Sequence, residues 1–156
     1  MVGWLAMVAR AADPVPTVED GTVVVVATVP ATEDRVRGVL ADSAAVATLF
    51  PDVLDETVTP DGGCLAVHRH TRGLLRPLEL FSRRCPTPRG WREDLVTSGD
   101  FEAYATEWIV VAGPDGTRIE YRVKTAIDAP VPQSMITAAV KQAAVAAVGR
   151  LVDRVR

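Results

Sequence analysis

The sequence predicts an α+β domain in which a curved antiparallel sheet wraps around a long C-terminal helix, and three observations carry that expectation. A β-branched run, Thr22–Val29, is followed by two short helical stretches. Six further segments of strand character then succeed one another, separated by turn residues. The chain closes on a long run of helical periodicity opened by Pro130-Val131-Pro132.

Thr22-Val23-Val24-Val25-Val26-Ala27-Thr28-Val29 is β-branched almost throughout and reads as a strand. Thr32 caps a first helix whose opening turn holds Glu33 and Asp34, where acids suit the helix dipole. Val36, Val39 and Leu40 give it one apolar face. A second short helix is expected over residues 44–50, stopping before Pro51. Strands are expected over 53–58, 64–71, 78–84, 91–97, 101–111 and 117–127, with turns at Pro60-Asp61-Gly62-Gly63 and Gly113-Pro114-Asp115-Gly116. The last strand alternates: Ile119, Tyr121, Val123, Thr125 and Ile127 on one face, Arg118, Glu120, Arg122 and Lys124 on the other. Paired backwards across its turn, it sets Val110 by Ile119, Trp108 by Tyr121 and Thr106 by Val123.

From Gln133 to Val155, Ile136, Val140, Ala144, Ala147, Leu151 and Val155 gather on one side of a helix. The middle of that face is small: Ala143, Ala144 and Ala147. A strongly curved sheet cannot lie flat on a straight helix along its whole length, so these alanines are expected to border a cavity. Its other walls would be Tyr104, Thr106, Trp108, Tyr121, Val123, Ile136 and Val140: apolar surface with a few polar points, the usual character of a small-molecule site.

The 156 residues fit one domain, which at this size buries roughly 68–70% of its unfolded surface. With 48% apolar and 24% charged residues the composition is that of an ordinary globular protein. A net charge of −3 argues against a nucleic-acid binder. Charge is uneven, however: seven arginines (69, 72, 76, 83, 84, 89, 92) stand against the single acid Glu79. Two readings of this run stay open, a face for transient contact with an anionic membrane surface or headgroup, and arginines on the solvent faces of strands. Basic residues are 15 Arg and 2 Lys, a usage that points to a GC-rich bacterial genome and favours the second.

No uninterrupted apolar run approaches the ~20 residues of a membrane span. Residues 1–21 read as an N-terminal segment ahead of the domain proper, 22–156. Trp4–Ala9 is apolar and Ala9-Arg10-Ala11 has the small-x-small form of a signal-peptidase site, without a positively charged region before it. The segment is either the remnant of a signal peptide, which implies export to the periplasm or outside, or an apolar stretch of a cytoplasmic protein.

The joints between elements read Val29-Pro30-Ala31-Thr32-Glu33-Asp34-Arg35-Val36, Phe50-Pro51-Asp52-Val53, Trp108-Ile109-Val110 ahead of Asp115-Gly116-Thr117-Arg118-Ile119-Glu120-Tyr121, and Pro130-Val131-Pro132. In their order and spacing, from Thr22 to Arg156, they resemble the START-like superfamily, also called SRPBCC, which groups polyketide cyclases/dehydrases with lipid-transport proteins. Arg37 departs from it, where many members place Trp or Phe. The resemblance implies a helix-grip fold with an internal cavity for a hydrophobic small molecule or lipid. Its functions range from carriage to cyclisation, and fold analogy does not choose between them.

Three features bear on chemistry. His68 and His70 share one face of a strand and are the candidate general acid or base. A hairpin turning on Leu74-Leu75 sets His70 opposite Glu79 and His68 opposite Phe81, but a metal is not expected, because the third ligand rests on that assumed register. The same register sets Cys64 opposite Cys85 and predicts a disulfide, which would accord with export. Glu93-Asp94 point to opposite faces of a strand and read as surface. No G-x-S-x-G elbow, phosphate loop or dinucleotide fingerprint is present, and no cofactor is expected. Carriage is favoured over catalysis; inward-pointing histidines would raise the enzyme reading, and outward ones favour the carrier.

Overall fold

The computed structural model describes residues 14–156, so the signal-peptide reading of the N-terminus lies outside the described residues. Its elements are β1 (Val15–Glu19), β2 (Thr22–Val29), α1 (Glu33–Ala41), α2 (Ser43–Ala47), β3 (Val53–Asp61), β4 (Cys64–Thr71), β5 (Leu78–Thr87), β6 (Gly90–Thr97), β7 (Phe101–Gly113), β8 (Gly116–Ile127) and α3 (Gln133–Val155). The eight strands form one antiparallel sheet in the order β1-β2-β8-β7-β6-β5-β4-β3. Register shifts between Val53 and Asp55, Phe81 and Ser82, and Phe101 and Ala103 bend the strands. The sheet curves around α3, and the fold is a helix-grip.

β1 moves the start of the sheet upstream of the expected boundary at residue 22. Val15 to Glu19 pair with Thr22 to Val26 through a two-residue turn in which Asp20 and Gly21 both have positive φ. Asp-Gly is the pair this turn prefers, and it was present in the sequence as the signal.

α1 begins as its residues dictate: the Thr32 hydroxyl accepts from the backbone N–H of Arg35. α2 is shorter than expected, because Asp42 caps it and it gives way to turns before Pro51. Arg37, the departure noted above, reaches across to the carbonyl of Val110 at 3.2 Å and pairs with Glu33 at 2.8 Å, tying α1 to the sheet.

The main core lies between β2, β8, α1 and the C-terminal half of α3, where Val25, Val29, Val36, Ile119, Val148 and Leu151 are fully buried. The N-terminal half of α3 is different. Apart from Ile136, its residues up to Ala143 are half-buried or exposed. By length and composition α3 would also pass for a membrane span, but its apolar stripe faces the sheet.

Candidate functional site

Where α3 parts from the sheet, the concave side holds a cavity of about 650 Å³. Tyr104, Thr106, Trp108, Tyr121 and Val123 line it from β7 and β8; Ile136, Val140, Ala143 and Ala144 line it from α3. Ala147 does not. It is fully buried in the main core, on the flank of α3 that meets the sheet, while Ala139, Ala146 and Arg150 on the neighbouring flank border the space instead.

Trp108 and Tyr121, directly opposed on β7 and β8, stack with ring centroids 4.1 Å apart. Phe50 closes on them at 6.4 and 5.8 Å. This aromatic corner caps the main core and presents its other side to the cavity. The mouth is formed by residues 51–53, the β4–β5 connection 72–77, and residues 128–131. Leu74 and Leu75 stand exposed there at 52% and 71%. A Cβ on Gly73 would collide with the carbonyl oxygen of Arg76, so the connection turns too tightly for any side chain at that position. Asp100 secures its base: one carboxylate oxygen accepts from Arg76 at 2.5 Å and the other from the backbone N–H of Glu79 at 2.8 Å. Those two donors hold the Asp100 carboxyl below its ordinary pKa.

The polar end of the cavity is an ionic cluster that the sequence reading placed on the surface. On β4 the inward face is Val67, Arg69 and Thr71; on β5 it is Leu78, Leu80, Ser82 and Arg84; on β6 it includes Glu93. Arg69, Arg84 and Glu93 are 4–7% exposed. Both Nη atoms of Arg69 donate to the Glu93 carboxylate at 3.0 Å, its Nε donates to Glu56 at 2.8 Å, and Nη1 also reaches the Tyr104 hydroxyl at 2.8 Å. Arg84 donates to Glu93 Oε1 from Nε and Nη2 at 3.2 and 3.1 Å. Two guanidiniums thus meet two carboxylates, and the group is formally neutral. Among the described residues, two buried side-chain atoms remain without a partner, Arg84 Nη1 and Ser82 Oγ.

Burial opposes the charge of Glu93, but Arg69 and Arg84 outweigh it and hold the carboxyl below its ordinary pKa. Burial likewise opposes the charge of Arg69, which Tyr104, Glu93 and Glu56 keep fully protonated. Tyr104 and Tyr121 are pushed up by burial and stay neutral phenols.

The signal for this cluster was legible in part. Leu78-x-Leu80-x-Ser82-x-Arg84 alternates so that Arg84 shares the apolar face. The turn at Pro88-Arg89 then sets Arg84 opposite Glu93. Glu93 and Asp94 do point to opposite faces as expected, but only Asp94 is at the surface. The arginine run is not one basic face either. Arg69 and Arg84 lie inside, while Arg76, Arg83 and Arg92 pair with Asp100, Asp61 and Asp94.

His68 and His70 lie on the outer face, with side chains 38% and 35% exposed. The acid–base role considered for them needs an inward imidazole, and neither contributes to the cavity wall. Their register is the expected one, His68 opposite Phe81 and His70 opposite Glu79. At the other end of the same hairpin Cys64 and Cys85 are joined, with Cα atoms 4.4 Å apart.

No family model and no curated protein matches the sequence. Solved structures do match the fold. The Zhui aromatase/cyclase from Streptomyces sp. R1128 superposes with a TM-score of 0.73 at 21% identity, covering 86% of this chain and 92% of that one. A START superfamily protein from Mycobacterium smegmatis gives 0.71 at 15% identity, covering 86% and 96%. A STAR-related lipid transfer protein from Xanthomonas axonopodis gives 0.67 at 14% identity, covering 93% and 99%. The architecture is therefore that of START-like proteins, a fold found in both lipid transfer proteins and aromatase/cyclases.

Proposed function

We propose that the protein binds and carries an amphipathic small molecule or lipid, its apolar body in the cavity and a hydrogen-bond acceptor at the ionic end. The observation that carries this reading is a cavity of about 650 Å³ whose walls are mostly apolar and whose polar end holds an unpartnered, buried Arg84 Nη1. Small-molecule sites combine these two features, and a buried donor without an acceptor costs free energy that a ligand carbonyl, hydroxyl or carboxylate recovers. Since Glu93 and Glu56 already balance the two arginines, the acceptor need not be charged.

Binding is favoured over chemistry by the state of the ionisable groups. Glu93 is held deprotonated between two guanidiniums, and Tyr104 and Tyr121 are held neutral by burial. General acid–base catalysis works best with a pKa near the working pH, which none of these three has. A cyclase-like enzyme is the alternative, supported by the shared fold with aromatase/cyclases and by a phenol, Tyr104, able to orient a substrate carbonyl.

Native mass spectrometry of the purified protein tests the proposal. A bound mass that disappears on denaturation, and that organic extraction identifies as an amphipathic molecule, is the expected result. Ligand-free protein that also takes up no apolar fluorescent probe would refute it. Carriage and catalysis then separate by incubation: a carrier returns the extracted compound unchanged, an enzyme converts it or its precursor.

A further inference from the structure

We propose that His68, His70 and Glu79 form a binding site for a divalent transition-metal ion of the zinc class on the outer face of the β4–β5 hairpin. The sequence alone left this set hanging on an assumed register; the strands adopt that register, and the third ligand is in place. Nε2 of His68 and Nε2 of His70 lie 3.1 and 2.7 Å from the same Glu79 oxygen, and the three ligand atoms all fall within 4.8 Å of one another. Donors that share a tetrahedral ion at ~2.1 Å stand about 3.4 Å apart, so small side-chain rotations open the set around an ion.

Two neighbours prepare the imidazoles. Asp55 Oδ1 accepts from Nδ1 of His70 at 2.7 Å, so Nε2 is the nitrogen left for an ion, which would replace the proton that Nε2 donates to Glu79 at 2.7 Å. A carboxylate behind a ligating histidine is the common supporting partner in metal sites. Phe81 stacks on His68, centroids 4.2 Å apart and planes 8° from parallel, and holds that ring in position. Two imidazoles and one carboxylate suit zinc, nickel or copper rather than magnesium or calcium, which take all-oxygen sets. The side chains are one-third to one-half exposed, leaving the remaining coordination position to water.

His70 and Glu79 are one pair removed from Thr71 and Leu78, where the strands open into the mouth connection. A bound ion would clamp the base of the loop that brings Leu74 and Leu75 to the cavity. The proposal does not depend on the cavity's ligand, because its residues lie on the opposite face of the sheet.

The test uses untagged full-length protein, stripped with a chelator and titrated with zinc chloride by calorimetry. The chain has 2 histidines and both are in the site, and its 2 cysteines are bonded to each other, so the ligand assignment is open to direct removal. One zinc per chain and a raised Tm are expected. His70→Ala and Glu79→Gln should each abolish saturable binding while keeping the circular dichroism spectrum and apolar-probe uptake of the parent. Asp55→Asn should weaken binding about 10–100-fold without abolishing it. No saturable uptake, or uptake undiminished by His70→Ala and Glu79→Gln, overturns the site; an unchanged affinity in Asp55→Asn overturns the role given to Asp55.

Discussion

Two charged clusters sit back to back on β4 and β5, and they differ in almost everything but their strands. On the inner face Arg69 and Arg84 are less than 10% exposed, and each of Glu93 and Glu56 is engaged by both. On the outer face His68, His70, Glu79 and Asp55 have side chains 35–70% exposed. Residues one position apart in sequence thus live in different solvents. Inside, charge has lost its hydration and persists only because every member has partners, so the cluster is stiff and intolerant. Outside, water compensates each group, so the set can part and accept something new. The inner face is built to hold its arrangement, and the outer one is free to respond.

The most severe way to break this contrast is Glu93→Ala, which strands two buried guanidiniums. Removing one partner of a buried ion pair costs about 3–5 kcal/mol, and urea unfolding should show a loss of that order. A loss under about 1 kcal/mol would mean that water enters the cluster and that the two faces are alike.

Reduction of Cys64–Cys85 ranks next. The bond closes a separation of 21 residues at the end of the same hairpin, for which chain entropy gives about 3 kcal/mol. The measurement is the urea midpoint of the Cys64→Ser/Cys85→Ser double variant. An unchanged midpoint would show that strand pairing alone holds both clusters in register.

Acid should find the inner face through Glu93. Its carboxyl has a lower pKa folded than unfolded, so the unfolded chain binds more protons at intermediate pH and stability rises with pH there. The contribution is complete above the ordinary glutamate value of about 4.3 and disappears as pH falls through the depressed value of the folded state. In urea midpoints measured from pH 7 to pH 2, Glu93→Gln should lose the part of the acid limb that this group supplies. An identical slope in parent and variant would assign the acid limb to other carboxylates, Asp100 first.

Ala143→Phe sharpens the contrast differently. In a close-packed core the added ring costs roughly 1–3 kcal/mol, whereas in a cavity it enters space already present. Tm should hardly move while uptake of an apolar fluorescent probe is lost. Full probe uptake would put the ligand elsewhere. Smallest of all is Glu79→Gln on the metal-free protein, where thermal unfolding should match the parent within replicate scatter.

Most of the scaffold was legible. α3 begins and ends where Pro132 and the apolar stripe place it, and the β7–β8 register follows from counting back across Gly113–Gly116. The His70–Glu79 and Cys64–Cys85 juxtapositions follow from the same arithmetic on the β4–β5 hairpin. Nine of the ten residues expected at the cavity line it, because a half-buried strand and an amphipathic helix declare their inner faces. Arg69, Arg84 and Glu93 read as surface from the sequence and are buried, although alternation separates them from His68, His70 and Asp94.

What the sequence determined by itself is therefore local: where elements start and stop, which residues share a face, and which oppose one another across a short turn. Those follow from backbone periodicity and turn chemistry, which act over a few residues. Only the tertiary structure decided which face of β4 to β6 became the concave one, since both faces of β4 carry apolar side chains. It also decided which flank of α3 the sheet leaves uncovered, so that Ala143 meets open space while Ala147 is sealed in the core. The curvature of the whole sheet selects the inner face, and the partners that make a buried arginine tolerable come from other strands. Arg69 meets Glu93 across 24 residues of chain, a neighbour that no local pattern can supply.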